Sequence, residues 1–177
     1  FNVPQKRERE LLVATRRDLP NTYKYPEALD YFVPLGVALK DCPSSEGQEY
    51  PKRKKEIMDM VPQGGYWKDL PIEIQKEYMK GSFYLGGGKT GTARRLSMKE
   101  PSLTLVTSPA QGQTERCHPK ETRPLTIRES ARIQTFPDSW KFAGSLGSQY
   151  KQIGNAVPVN LAYHVGKSVI KYLKNTE

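Results

Sequence analysis

Two short runs near opposite ends of the sequence, and a basic stretch between them, have residue types and spacing suited to chemistry. Near the start, Gln5-Lys6-Arg7-Glu8-Arg9 sets two arginines at alternate positions. In an extended chain alternate side chains point the same way, so Arg7 and Arg9 could close on one anion or on the polar edge of a base, with Gln5 in support. Taken alone, the run suits a solvated charged turn better, the usual fate of such a stretch. Near the other end, Gly154-Asn155-Ala156-Val157-Pro158 joins a glycine that tolerates close backbone approach to an amide that both donates and accepts. An ordinary helix start competes with that reading, above all for Val157 and Pro158. In between, Gly86-Gly87-Gly88 opens a loop carrying Lys89, Arg94, Arg95 and Lys99 before the first acid, Glu100, and residues 108–119 are rich in hydrogen-bonding side chains such as Gln111, Gln113 and Arg116.

Two other patterns are set aside. Gly88-Lys89-Thr90 resembles the end of a phosphate-binding loop, but the leading glycine would fall on Phe83. Cys117-His118 has only Cys42 and His164 as distant companions, which is not a metal-ligand spacing, so no metal is expected.

The elements that must position these groups are unevenly marked. Leu11-Leu12-Val13-Ala14 is a short apolar run read as a buried strand of a larger sheet. A helix is expected over Lys52–Met60 and another over Leu70–Met79, the second with Pro71 in its first turn. Leu103-Thr104-Leu105-Val106-Thr107 alternates hydroxyl and aliphatic side chains, as a strand with one wet face does. Thr126-x-x-Glu129 is a capping box that should open a helix through Gln134, stopped by Pro137. A loop is expected next. From Gly154-Asn155 the chain should turn into a last helix, with Pro158 in its opening turn and Leu161, Val165, Val169 and Leu173 along one side.

Composition narrows the partners. The 177 residues hold 28 Lys and Arg against 19 Asp and Glu, a formal charge of +9, which favours a polyanion. No apolar run approaches membrane-spanning length. Two cysteines far apart do not form a disulfide framework, so a reducing cytoplasm is expected. The chain opens on Phe1 without an initiator methionine, which raises the expectation of sequence upstream.

Three blocks then resemble, in order, motifs of the DNA (cytosine-5) methyltransferases. Residues 2–9 look like the family's Q-x-R-x-R motif, residues 123–138 resemble its R-x-L-T-x-R-E-x-A-R-x-Q-x-F-P-D block, and residues 150–158 resemble its closing G-N-A-V-P motif. The resemblance implies that Arg7 and Arg9, supported by Gln5, reach the flipped cytosine and its phosphate. It implies that Asn155, Ala156 and Val157 lie beside S-adenosylmethionine, and that the middle block orients a recognition domain. That variable domain would occupy residues 21–122, with residues 1–20 and 123–177 returning to the catalytic domain. Thr104-Leu105 is similar to a Thr-Leu pair usual there. The candidates for contact with double-stranded DNA are Gly87, Arg94, Arg95, Thr104, Leu105, Thr107, Ser108, Gln111, Gln113 and Arg116, since Arg suits guanine and Gln suits adenine. Positioning contacts to phosphate should outnumber base contacts among them.

The same family uses a Pro-Cys nucleophile, a Glu-Asn-Val motif and an F-x-G-x-G cofactor loop. Here Cys42 follows Asp41, Cys117 follows Arg116, and neither other motif occurs. The fold expected is α/β: a small mixed recognition domain plus C-terminal helices that complete a methyltransferase fold. The chain is expected to be inactive alone, binding S-adenosylmethionine only with an N-terminal catalytic half, within a bacterial restriction-modification system. The alternative is a stand-alone, non-catalytic DNA-binding or regulatory module. An RNA-binding role is disfavoured by the absence of an aromatic-rich recognition motif.

Overall fold

A computed structural model of the chain describes residues 1–20, 22–86 and 88–175. Helices dominate, with one short sheet that ties the beginning of the chain to its middle. Gln5–Lys6 (β1) pairs in parallel with Ser102–Leu103 (β2), in the register Gln5 to Ser102 and Lys6 to Leu103. The helices are Leu35–Leu39 (α1), Lys52–Asp59 (α2), Ile72–Met79 (α3), Ile127–Ile133 (α4), Leu146–Asn155 (α5) and Val159–Lys174 (α6).

Two apolar clusters hold these elements. The first gathers Leu35, Leu96, Leu105, Leu125, Ile127, Ala131, Ile133, Tyr150 and Ile153, and so draws on both sides of residue 122. The second gathers Tyr50, Ile57, Met58, Val61, Trp67, Leu70, Met79, Ala93 and Cys117 inside residues 50–117. Arg95 stitches the second cluster together. Its Nε donates to Val61 O at 2.7 Å, Nη2 to Met58 O at 2.6 Å and Thr122 Oγ1 at 2.8 Å, and Nη1 to His118 O and Glu121 O, both at 3.3 Å.

The helix expectations for α2 and α3 match to within two residues and the last helix is present as α6, with Pro51, Pro71 and Pro158 as the N-cap residues, so that Pro71 and Pro158 stand just before the first turn rather than in it. The capping box of α4 is formed: Thr126 N donates to Glu129 Oε2 at 2.8 Å and Glu129 N to Thr126 Oγ1 at 3.4 Å. What ends α4 is a backbone motif rather than Pro137. Thr135 takes the left-handed conformation (φ 61°), Thr135 N donates to Arg132 O, and Phe136 N reaches back to Ala131 O at 3.0 Å.

Three expectations are corrected. Residues 11–14 form no strand, and Leu12 stands 95 % exposed, because no described segment offers its backbone a ladder partner. The strand expected over 103–107 stops at Leu103, since beyond it the backbone bonds to side chains of Gln5, Arg7 and Arg116 instead of to another strand. The loop expected before Gly154 contains α5, which Gly154-Asn155 close rather than precede. Its signal was present in Leu146, Tyr150 and Ile153, spaced four and three apart behind the N-cap Ser145.

Candidate functional site

The site is built around a buried pair of amides. Gln5 enters from β1 and Gln134 from the end of α4, and Gln5 Nε2 donates to Gln134 Oε1 at 2.8 Å. Each amide uses its other end on backbone. Gln5 Oε1 accepts from Leu105 N at 2.8 Å, while Gln134 Nε2 donates to Ile153 O at 2.7 Å and Ala156 O at 3.1 Å. The start of the chain, the Thr104-Leu105 pair, the end of α4 and the turn after α5 therefore share one hydrogen-bonded unit. Gln134 was missed as a site residue by sequence reasoning, although it is the Gln of the middle block.

Arg7 continues that unit toward the surface. Its Nη2 donates to Gly154 O at 3.1 Å and its Nη1 to Leu105 O at 3.4 Å. This crossing is possible because Gly154 has no side chain: a Cβ there would lie 2.8 Å from Val106 C and 2.9 Å from Thr107 N. Burial, and then the charge of Arg9, lower the Arg7 pKa from its ordinary value. Two guanidiniums crowded at one opening are stabilised by an anion placed between or before them.

Gln5, Arg7 and Arg9 line a cavity of about 460 Å³ together with Asn155, Ala156 and Val157. Its apolar lining includes Leu29, Tyr31, Phe32 and Leu161; Leu161 lies on the last helix read from the sequence, and the other three were not found because residues 26–34 carry no periodic pattern. Asn155 and Val157 are exposed, and the Asn155 amide bonds to no other described residue. An uncommitted amide beside aliphatic and aromatic side chains fits an adenosyl group, whose ring needs apolar contact and whose edges need hydrogen bonds.

The residues expected on DNA divide into two groups. Arg94, Thr107, Ser108, Gln111 and Gln113 are at least partly accessible. The Arg94 guanidinium lies 5.7 Å from the Tyr66 ring centroid. The loop 107–115 that carries the others is anchored by Lys54 Nζ on Ala110 O at 2.7 Å and by Glu115 N on Gly91 O at 2.9 Å. Gly87 lies outside the described residues. The remaining candidates are occupied internally. Arg95 is 4 % exposed with its guanidinium wholly spent on carbonyls and one hydroxyl, so it has no face for DNA. Arg116 is buried, and its Nε and Nη2 both donate to Thr104 O, at 2.9 and 2.6 Å. Leu105 is a core residue, and Thr104 Oγ1 donates to Lys6 O at 2.8 Å.

A buried polar cluster braces α4 from its other end. Arg123 donates from Nη1 and Nη2 to the two carboxylate oxygens of Glu129, each at 2.8 Å, and Glu129 Oε1 lies 3.7 Å from His118 Nε2. His118 Nδ1 accepts from the backbone N–H groups of Glu121 at 3.0 Å and Lys120 at 3.2 Å. Burial of the imidazole lowers its pKa from the ordinary value, against the opposing pull of Glu129. Cys117 packs in the second cluster, while Cys42 is half-buried.

With this geometry in place, the sequence profile described as C-5 cytosine-specific DNA methylase matches residues 1–171. The chain belongs to that family. It is 63 % identical to the type II methyltransferase M.Eco47II of Escherichia coli over 98 % of this chain and 44 % of that protein. It is 62 % identical to M.PspPI of Psychrobacter sp. (strain TA137), over 98 % of this chain and 44 % of that protein, and 56 % identical to M.Sau96I of Staphylococcus aureus, over 98 % and 41 %. The chain thus spans less than half the length of these curated relatives. Among the described residues no helix is long and apolar enough to cross a membrane.

Proposed function

We propose that this chain is the DNA-reading and pocket-completing portion of a cytosine-5 methyltransferase of a restriction-modification system. The observation that carries the reading is the shared cavity of Arg7 and Arg9 with the Asn155–Val157 turn, joined beneath by Gln5 and Gln134. In this reading residues 21–122 bind the duplex, with Arg94, Thr107, Ser108, Gln111 and Gln113 on phosphates and base edges. Arg95 is removed from that set by its burial, and Arg116 by its bonds to Thr104.

The target cytosine must leave the base stack, because C5 is inaccessible to an enzyme group inside the duplex. Arg7, fixed by two backbone carbonyls, orients the polar edge of the extruded base. Arg9, exposed at the rim, takes the neighbouring phosphate. Asn155 and Val157 hold one side of S-adenosylmethionine, which supplies the methyl group when bound. The attacking thiol comes from a Pro-Cys segment that this sequence does not contain, so this chain alone transfers nothing.

Mixing the chain with the N-terminal portion of the E. coli relative and measuring incorporation of labelled methyl into duplex DNA tests the reading. Transfer to cytosine C5 by the mixture, and none by either part, is the expected result. Transfer by this chain alone overturns the division of labour. Duplex binding without transfer in every combination favours a binding module that never catalyses.

A further inference from the structure

The peptide at Thr104-Leu105 is gripped from two directions. On the pocket side, Thr104 Oγ1 donates to Lys6 O at 2.8 Å, Leu105 N donates to Gln5 Oε1 at 2.8 Å, and Leu105 O accepts from Arg7 Nη1. On the other side, the Arg116 guanidinium chelates Thr104 O through Nε and Nη2, and its Nη1 donates to Glu115 O at 2.6 Å. Arg116 also stands at the foot of the loop 107–115, where its own N–H bonds to Pro109 O at 3.0 Å.

A cation buried on carbonyls, with no carboxylate paired to it among the described residues, is an expensive way to hold a loop. Burial, and then the charge of Arg94, pull the Arg116 pKa down to about 10, which still leaves it protonated at neutral pH. What the guanidinium offers in return is a rigid fork: two N–H groups on one planar edge that meet a single oxygen, which an ammonium on a flexible stem cannot reproduce.

We infer that Arg116 is a positioning residue that sets Arg7 through the Thr104-Leu105 peptide, so that the conformation of the DNA-facing loop 107–115 is read out in the geometry of the arginine pocket. The inference rests on the proposed function for its consequence in catalysis, but the mechanical link itself belongs to this chain. A displacement of the loop moves Glu115 and Arg116, Arg116 moves Thr104 O, and Leu105 O moves away from Arg7.

Amide hydrogen exchange on this chain tests the link directly, with Arg116→Lys and Arg116→Ala compared to the unsubstituted protein. Loss of the fork should speed exchange at the Leu105 amide by about tenfold or more, while the amide of Ile57 in α2 stays unchanged. Lysine should not rescue. In the mixture with the N-terminal portion of the E. coli relative, kcat should fall by about tenfold with the DNA KM within about twofold of its starting value.

Unchanged exchange at Leu105 in both variants overturns the inference. So does equal acceleration at Leu105 and Ile57, which means general loosening, or a loss of DNA affinity with a smaller salt slope, which makes Arg116 a phosphate contact. If the unsubstituted mixture transfers no methyl group, the proposed function fails, and the exchange result still decides whether Arg116 holds Leu105.

Discussion

Gln5 and Gln134, 129 residues apart in sequence, meet side chain to side chain in the interior of the molecule. The pairing fixes both amide orientations at once. Gln134 must present its oxygen to Gln5 because its nitrogen is committed to Ile153 O and Ala156 O, and Gln5 must present its nitrogen because its oxygen receives Leu105 N. Two polar side chains thereby set the separation between β1, which leads into Arg7, and the turn after α5.

Gln134→Leu should therefore cost more than the single bond to Gln5. It leaves the Gln5 Nε2 group and the Ala156 carbonyl without a partner, while Ile153 O keeps only the Ala156 N–H, and unmet buried polar groups cost about 1–3 kcal/mol each. A destabilisation of about 3 kcal/mol in denaturant unfolding is expected. In a double-mutant cycle with Gln5→Leu, the two losses should be less than additive by about 1 kcal/mol. Strict additivity would show that the amide pair is not a unit.

Two glycines should respond to alanine in opposite directions. At Gly154 the added methyl collides with the backbone of Val106 and Thr107, which cannot rotate away, so a loss of about 1–3 kcal/mol is expected together with loss of the Arg7 contact to Gly154 O. Gly166 sits inside α6 with nothing within 4 Å of its Cβ position, and alanine there should stabilise by about 0.5–1 kcal/mol. Thermal melting of the two variants side by side distinguishes the requirement for close approach from mere helix propensity.

The parts of the structure legible in the sequence are those where local chemistry decides. The capping box at Thr126 and Glu129 acts over one turn and appears as expected, and Pro71 and Pro158 mark the starts of α3 and α6, each one residue before the first turn in which it was expected. The Gln5–Gln134 bond and the burial of Arg95 are contacts between distant segments, and a basic residue in a basic loop looks the same in sequence whether it faces solvent or five acceptors. Residues 11–14 mislead for a related reason: an apolar run signals a strand, but a strand exists only where a neighbour supplies the ladder. The cavity was half legible, since Arg7, Arg9 and Asn155 carry recognisable motifs and the apolar wall from Leu29 to Phe32 does not.

His118 should make stability depend on pH in the mildly acidic range. Its folded pKa lies below its ordinary value, so between the two values the unfolded chain binds a proton that the folded chain refuses. Stability is then fully present above the ordinary imidazole pKa and falls as pH drops through the folded one. The physical cause is burial first, and Nδ1 is already committed as an acceptor for the Glu121 and Lys120 amides. Denaturant midpoints measured from pH 7.5 down to pH 5 should decline, and His118→Gln should flatten that decline. The sequence has only one other histidine, His164, so the His118 resonance can be assigned by substitution and its titration followed directly.

Neighbouring arginines should separate binding from stability. Arg95→Ala removes a guanidinium that serves Met58, Val61, His118, Glu121 and Thr122; the carbonyls of Val61 and His118 lose their donor, while Met58 O and Glu121 O keep the N–H groups of Val61 and Arg123, and a loss of about 3 kcal/mol is expected. Arg94→Ala removes a partly accessible cation stacked on Tyr66 and should change folding stability by under about 1 kcal/mol. Its effect should appear in duplex binding, as a weaker affinity and a salt slope smaller by about 1, the signature of one lost phosphate contact. The two measurements, unfolding and salt-dependent DNA binding, should therefore give opposite rankings of the two variants. If Arg95→Ala instead left stability intact and reduced the salt slope, its guanidinium would be reaching DNA, and the carbonyl cluster at the foot of α2 would not depend on it.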